Sequence, residues 1–130
     1  MLKYLNLLDV KKTVIIGATP NPTRYAYMAA NRLKKHGHEF VPVGIKKGEV
    51  NGEPILDLRE KPDVSDVDTV TMYIGPQNQP EWYDYIIGLH PKRIIFNPGT
   101  ENYEFAKMAN QSGIEVEESC TLVMLGVGNY

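Results

Sequence analysis

Short β-branched runs alternate with stretches of helical periodicity along nearly the whole chain, and this alternation constrains the fold more than any other feature. Residues 14–16, 40–43, 67–74, 94–96 and 114–116 read as five strands. They are apolar without strict alternation, as strands covered on both faces are. Between the first two, Ala26, Ala29, Ala30 and Leu33 recur at helical spacing, and Gly37 stops the helix. Trp82, Ile86 and Leu89 form a second stripe, opened by Asn78 with Glu81 three residues later in the manner of a capping box. Phe105, Met108 and Ala109 form a third, with Thr100 as its expected N-cap and Gly113 as its stop. Repeated βαβ units predict an α/β fold, a doubly wound parallel sheet of about five strands flanked by helices in three layers.

Residues 44–66 depart from this rhythm. Gly44, Gly48, Asn51-Gly52 and Pro54 mark a long connection containing a small hairpin, with a helical turn after it. The chain of 130 residues suits one domain, residues 1–130, with residues 1–10 as a short lead-in. A formal net charge of −2 provides no general field for nucleic acid or an anionic membrane. The single cysteine, Cys120, allows no internal disulfide, which fits a reducing cytoplasm. The opening MLKYLNLLDVKK is interrupted by Asn6 and Asp9 and does not read as a signal peptide. No apolar stretch approaches the ~20 residues of a membrane helix.

The first strand-to-helix turn is the first place to look for a ligand, because open parallel sheets bind at the carboxyl ends of their strands. Here the turn reads GATPNP, residues 17–22. A dinucleotide turn of the common kind would carry three glycines; this one has Gly17 alone. Pro20 and Pro22 cannot donate to a phosphate and would stiffen the loop. Donation would fall to the amides of Ala18, Thr19, Asn21 and Thr23, with Arg24 adding a charge-assisted contact. The plainer alternative is a rigid turn that binds nothing.

The second strand discriminates between nucleotides. NAD-binding sheets commonly end it with an acid that holds the ribose hydroxyls. This one ends FVPVGIKKGE, with Lys46 and Lys47 where the acid would stand. Cations there suit an adenosine ribose with an extra phosphate, and both NADP and coenzyme A have one. A solvated lysine pair without a ligand is the alternative.

Four segments together carry a resemblance: VIIGATPNPTRYAY, HEFVPVGIKKGEVNGEPIL, YIGPQNQPEWYDYIIGL and VEESCTLVML. Across roughly residues 11–125 the chain resembles the small stand-alone CoA-binding proteins, which look like the N-terminal nucleotide-binding domain of the succinyl-CoA synthetase α-subunit. The resemblance implies a Rossmann-like sheet holding coenzyme A, or an acyl-CoA, at its carboxyl edge. By position, Gly17, Ala18, Thr19, Asn21 and Arg24 would face the pyrophosphate and Lys46 the ribose phosphate. Gly75, Pro76 and Gln77 would border the adenosine, and Asn97, Pro98 and Gly99 the pantetheine arm. Two places depart from the family pattern. Ala26 stands where relatives often have serine, removing one phosphate contact, and Gly44-Ile45 replaces a frequent Asn-Pro.

Catalytic chemistry is harder to find. The synthetase the chain looks similar to needs a further domain with a phosphorylated histidine and a partner subunit, neither of which these 130 residues contain. His36, His38 and His90 are scattered and read as surface residues, with no metal-ligand spacing. The serines lack a nucleophile elbow, and the acids of residues 57–68 read as a solvated face. Cys120 is the one reactive candidate. Near the thiol of a bound CoA it would form a mixed disulfide or sense redox state; as a partly buried small residue it would do neither. The leading expectation is a non-catalytic, cytoplasmic CoA-binding module with a regulatory role. The alternatives are an NADP-dependent oxidoreductase with a proton donor near Tyr73 or Tyr103, and an interaction subunit with a decayed nucleotide site. Trp82, Tyr83 and Tyr85 crowd one short helix, which would suit a homodimer or another protein partner.

Overall fold

A computed structural model describes residues 10–130; the expectations for the lead-in and for the absence of a signal peptide fall largely outside them. In chain order the elements are β1 (Thr13–Ile16), α1 (Tyr25–Lys35), β2 (Phe40–Gly44), β3 (Glu49–Val50), β4 (Glu53–Pro54), β5 (Leu56–Asp57) and a 3₁₀ turn at Leu58–Glu60. Then come β6 (Thr69–Met72), 3₁₀ turns at Pro76–Asn78 and Pro80–Trp82, α2 (Tyr83–Gly88), β7 (Arg93–Phe96), α3 (Tyr103–Gln111), β8 (Glu115–Glu118) and α4 (Thr121–Val127). The main sheet has six strands in the order β5-β2-β1-β6-β7-β8, every pairing parallel. This is the Rossmann-like α/β fold, with β5 as a strand beyond the five expected.

Period-two alternation within each strand divides the core into two layers. Val14, Ile16, Val70, Met72, Ile94 and Phe96 pack with Tyr83 and Ile86 of α2 and Phe105 and Ala109 of α3. Ile15 and Ile95 face the other way, toward Ala26, Ala30 and Leu33 of α1 and Met124 and Leu125 of α4. Burying each large aliphatic contributes about 1.5–3 kcal/mol, so both helical layers are held against the sheet mainly by these side chains. Two helix ends follow the glycine signals closely. Gly37 and Gly113 take positive φ, and the amides of His38 and Ile114 reach back to the carbonyls of Leu33 and Ala109, completing Schellman motifs. Asn51 and Gly52 both have positive φ and close the β3–β4 hairpin.

Several local expectations need correction. Asn78 and Glu81 form no capping box: Pro76 and Pro80 each begin a 3₁₀ turn, and α2 starts only at Tyr83 without a side-chain cap. The N-cap of α3 is Asn102, whose Oδ1 accepts from the Phe105 amide at 3.0 Å. The Thr100 hydroxyl instead donates to the Asn97 carbonyl. β6 is shorter than residues 67–74 because Asp66, at φ 56°, turns the backbone before it and Pro76 begins a turn after it. β8 starts after Ile114, whose amide belongs to the end of α3. α4 was not expected: its run TLVMLGV has neither a helical stripe with polar spacing nor an N-cap side chain. Trp82 and Tyr83 are buried in the core, and Tyr85, partly buried, donates its hydroxyl to the Pro62 carbonyl.

Candidate functional site at the carboxyl edge

The sheet gathers the expected residues along one edge. The Gly17–Arg24 turn follows β1, Lys46 follows β2, Gly75–Gln77 follow β6, Asn97–Gly99 follow β7, and Cys120 follows β8. The chain builds outward from β1 through β2 to β5, then crosses to β6 on the other side, so strand order reverses between β1 and β6. A crevice opens at such a reversal.

Close backbone packing shapes its β1 side. Gly17 has φ +100°, and a Cβ there would lie 2.8 Å from Ile74 Cγ2 and 2.9 Å from the Tyr73 carbonyl carbon. A Cβ on Gly44 would lie 2.6 Å from the Ala18 carbonyl oxygen, and one on Gly48 3.0 Å from Pro20 Cβ. The β1 turn is therefore wedged between the backbone after β6 and the loop after β2. Pro20 acts as a buttress for that loop at Gly48.

The donor set differs from the one expected. The amides of Gly17 and Ala18 both bond to the Val43 carbonyl, at 2.9 and 3.1 Å. The Asn21 amide bonds to Thr19 Oγ1, and Asn21 Oδ1 accepts from the amide and hydroxyl of Thr23. Ala18, Asn21 and Thr23 thus brace the turn. The amides of Thr19 and of Tyr25, Ala26 and Tyr27 in the first turn of α1 take no partner among the described residues. Arg24 is the N-cap of α1, exposed, and its side chain makes no cap bond. Bare first-turn amides, a helix dipole and a free guanidinium together favour an anion. Ala26 is buried and has no side-chain donor, so it contributes only its amide. Lys46 and Lys47 are exposed and pair with no carboxylate among the described residues.

The β6–β7 side is held by side chains. Asn97 is buried: its Nδ2 donates to Thr71 Oγ1 at 2.6 Å and to the Met72 carbonyl at 2.9 Å, and its Oδ1 accepts from the Thr121 amide. It ties the ends of β6 and β7 to the start of α4, leaving Pro98 and Gly99 exposed. Gln79 bridges the loops after β6 and β7 and was missed in the sequence, where the polar run between two prolines gave no sign of which residue turns inward. Cys120, partly buried, stands at the N-cap of α4 beside this network. Burial pushes the Tyr73 phenol up, the nearby Thr121 and Thr71 hydroxyls opposing, although its oxygen makes no hydrogen bond of good geometry. Tyr103 is 83% exposed.

Over residues 11–126 the chain matches the CoA binding domain family. It belongs to that family. Among solved structures it is similar to an uncharacterized protein at 59% identity, with a TM-score of 0.90 over 93% of this chain and 98% of that one. A hypothetical protein from Pyrococcus horikoshii OT3 is 27% identical, with a TM-score of 0.76 over 92% of this chain and 84% of its own. A Thermus thermophilus protein, cell-free ID.343, shares the fold at 20% identity, with a TM-score of 0.80 over 99% and 97% of the two chains. No curated protein matches the chain.

Two grooves lie away from this edge. One of about 760 Å³ runs along the amino edge between Lys12, Asp63–Asp68 and Lys92, and one of about 330 Å³ lies on the outer face of α3. The amino edge is the wrong end of a parallel sheet for a nucleotide, and its mixed charges define no ligand. Among the histidines, His36 and His90 are exposed as expected, but His38 is partly buried and its Nδ1 accepts from the Lys11 amide at 3.0 Å. No cluster of three or more metal-ligating side chains occurs among the described residues, and none of their helices is long and apolar enough to cross a membrane.

Proposed function

We propose that this chain is a non-catalytic cytoplasmic module that binds coenzyme A or an acyl-CoA at the carboxyl edge of its sheet and reports its level to a partner. The observation that carries the reading is the set of unpartnered amides at Thr19, Tyr25, Ala26 and Tyr27 beside the free Arg24, at the point where strand order reverses. A pyrophosphate there meets the dipole of α1 and the guanidinium together. Lys46 and Lys47, on a loop buttressed by Gly44 and Gly48, reach the 3′-phosphate. Because glycine and proline packing sets the turn before binding, little ordering entropy is lost when the ligand arrives. Gly75–Gln77 border the adenosine, Pro98 and Gly99 line the pantetheine path, and Cys120 lies within reach of its thiol end. No side chain in this reading attacks, protonates or oxidises the ligand.

Calorimetric titration of ligand-stripped protein with CoA, dephospho-CoA, NADP and NAD tests the proposal. CoA should bind, and dephospho-CoA about tenfold more weakly, the worth of one charge-assisted contact. Preference for NADP would point to an oxidoreductase instead. Binding of none of the four would leave an interaction subunit as the reading to pursue.

A further inference from the structure

Gln79 is the only glutamine side chain wholly removed from solvent among the described residues, and two of its three hydrogen bonds cross to the segment after β7. Its Nε2 donates to the Ile74 carbonyl at 3.0 Å, in the loop after β6, and to the Thr100 carbonyl at 2.8 Å, in the loop after β7. Its Oε1 accepts from Asn102 Nδ2 at 2.9 Å. Asn102 in turn caps α3 through the Phe105 amide and donates to the Tyr83 hydroxyl. One buried amide therefore joins the two loops that face each other across the β6–β7 half of the edge. Main-chain bonds do not duplicate the link: the amides of Asn78 and Gln79 stay within their own loop, as does that of Thr100.

We propose that Gln79 is a positioning residue that makes these two loops one cooperative unit, so that a ligand spanning both is bound by a spacing Gln79 sets. It touches no ligand itself. The ligand arm of this inference rests on the CoA reading above, in which Gly75–Gln77 border the adenosine and Pro98–Gly99 the pantetheine arm; the coupling of the loops does not. A buried amide with both donors and an acceptor satisfied suits the task, because losing any one partner strands another in a dry site.

Native-state hydrogen exchange on the unmodified protein under increasing mild urea tests the coupling without a ligand. The amides of Asn78, Gln79, Thr100 and Phe105 should open together with one urea dependence. Separate opening of the two loops would overturn the proposal. The Gln79→Met variant keeps the volume and removes the bonds. Exchange should rise about tenfold or more at Asn78 and Thr100 alike, while amides of the β1 turn stay unchanged. A rise confined to one loop would count against it. Titration supplies the second arm. Gln79→Met should weaken CoA about tenfold and adenosine 3′,5′-bisphosphate, which lacks the pantetheine arm, less than about threefold. Equal losses for both would overturn the spacing role. If the unmodified protein binds neither ligand, the CoA reading fails, and the exchange result still decides the coupling.

Discussion

The two halves of the carboxyl edge are held by opposite means. On the β1–β2 side, loops are locked by side chains that are missing: Gly17 against Tyr73 and Ile74, Gly44 against Ala18, Gly48 against Pro20. On the β6–β7 side, loops are locked by side chains that reach across, Asn97 and Gln79. Backbone packed on backbone leaves nothing between the amides of the turn and an incoming anion. A bridging amide does something else: it fixes the distance between two loops. The first arrangement suits a phosphate cradle, and the second suits a channel wall. The first also fails abruptly, because a methyl group either fits or does not, whereas the second loses one hydrogen bond at a time.

Gly17→Ala should therefore have the largest effect. The left-handed backbone adds about 1–2 kcal/mol for a residue with a side chain, and the contacts with Ile74 and Tyr73 add overpacking of about 1–3 kcal/mol. Urea unfolding should show a loss of about 3 kcal/mol, with Gly44→Ala somewhat less because its φ is not positive. A loss below about 1 kcal/mol would mean that the post-β6 backbone yields easily, and the contrast between the halves would collapse.

Asn97→Leu comes next. It roughly fills the volume, but it strands the Thr121 amide and the Met72 carbonyl. An expected loss of about 2 kcal/mol follows from leaving such groups unpaired. A near-neutral result would show that water or a neighbour replaces the bridge, and that the β6–β7 side is not built as described.

These two halves also differ in how well the sequence displays them. Glycine and proline are the residues whose backbone consequences can be read without a structure. Gly17, Gly37, Gly113 and Asn51-Gly52 all stand where the sequence places them, and the alternation of apolar runs correctly implies the parallel sheet. What the sequence hides is the direction of a polar side chain. Thr100 and Asn102 are equally good N-caps on paper, and only packing selects Asn102. The Asn78–Glu81 pair has capping-box spacing, but two prolines impose 3₁₀ geometry first. Within PQNQP, nothing but tertiary structure sends Gln79 inward and leaves Gln77 out. The same limit governed the turn. Its residues were identifiable, yet Ala18 and Asn21 hold the loop instead of pointing amides at a ligand. β5 and α4 were lost for another reason: a two-residue strand and a seven-residue helix without a polar stripe lack the length for periodicity to appear.

A smaller effect should appear when charge is removed from the β2 loop without touching its packing. Lys46→Ala with Lys47→Ala should leave stability within about 0.5 kcal/mol, since both side chains are exposed. CoA binding should weaken about tenfold while dephospho-CoA binding holds nearly constant. Equal weakening for both ligands would assign the lysines a general electrostatic role. No weakening would remove them from the site, leaving a cradle made by the turn alone.

The smallest expected effect concerns pH, and it arises at the opposite, amino edge of the sheet. The β6–β7 bridges are carboxamides and do not titrate. Before β1 and β2, at their amino ends, the entering segment is tied down by the Lys11 amide donating to His38 Nδ1, a bond that only neutral imidazole can accept. Burial holds the pKa of His38 below its ordinary value, helped by the charges of Lys11, His36 and Arg93 and opposed by Asp68; the Tyr130 ring covers it from the other side. The unfolded chain therefore binds a proton more readily than the folded one. The contribution of His38 is complete above its ordinary pKa of 6.5 and diminishes as pH falls below that value. Partial exposure screens it to less than about 1 kcal/mol. His38→Asn, which keeps an acceptor and cannot gain a charge, should flatten that part of the stability profile between about pH 7 and 5. Residue-resolved exchange, corrected for intrinsic pH dependence, should show loosening near Lys11–Thr13 in the unmodified protein and none at Asn78 or Thr100. An unchanged slope in the variant would place the acid sensitivity elsewhere and leave the amino edge no more responsive to pH than the carboxamide bridges of the carboxyl edge.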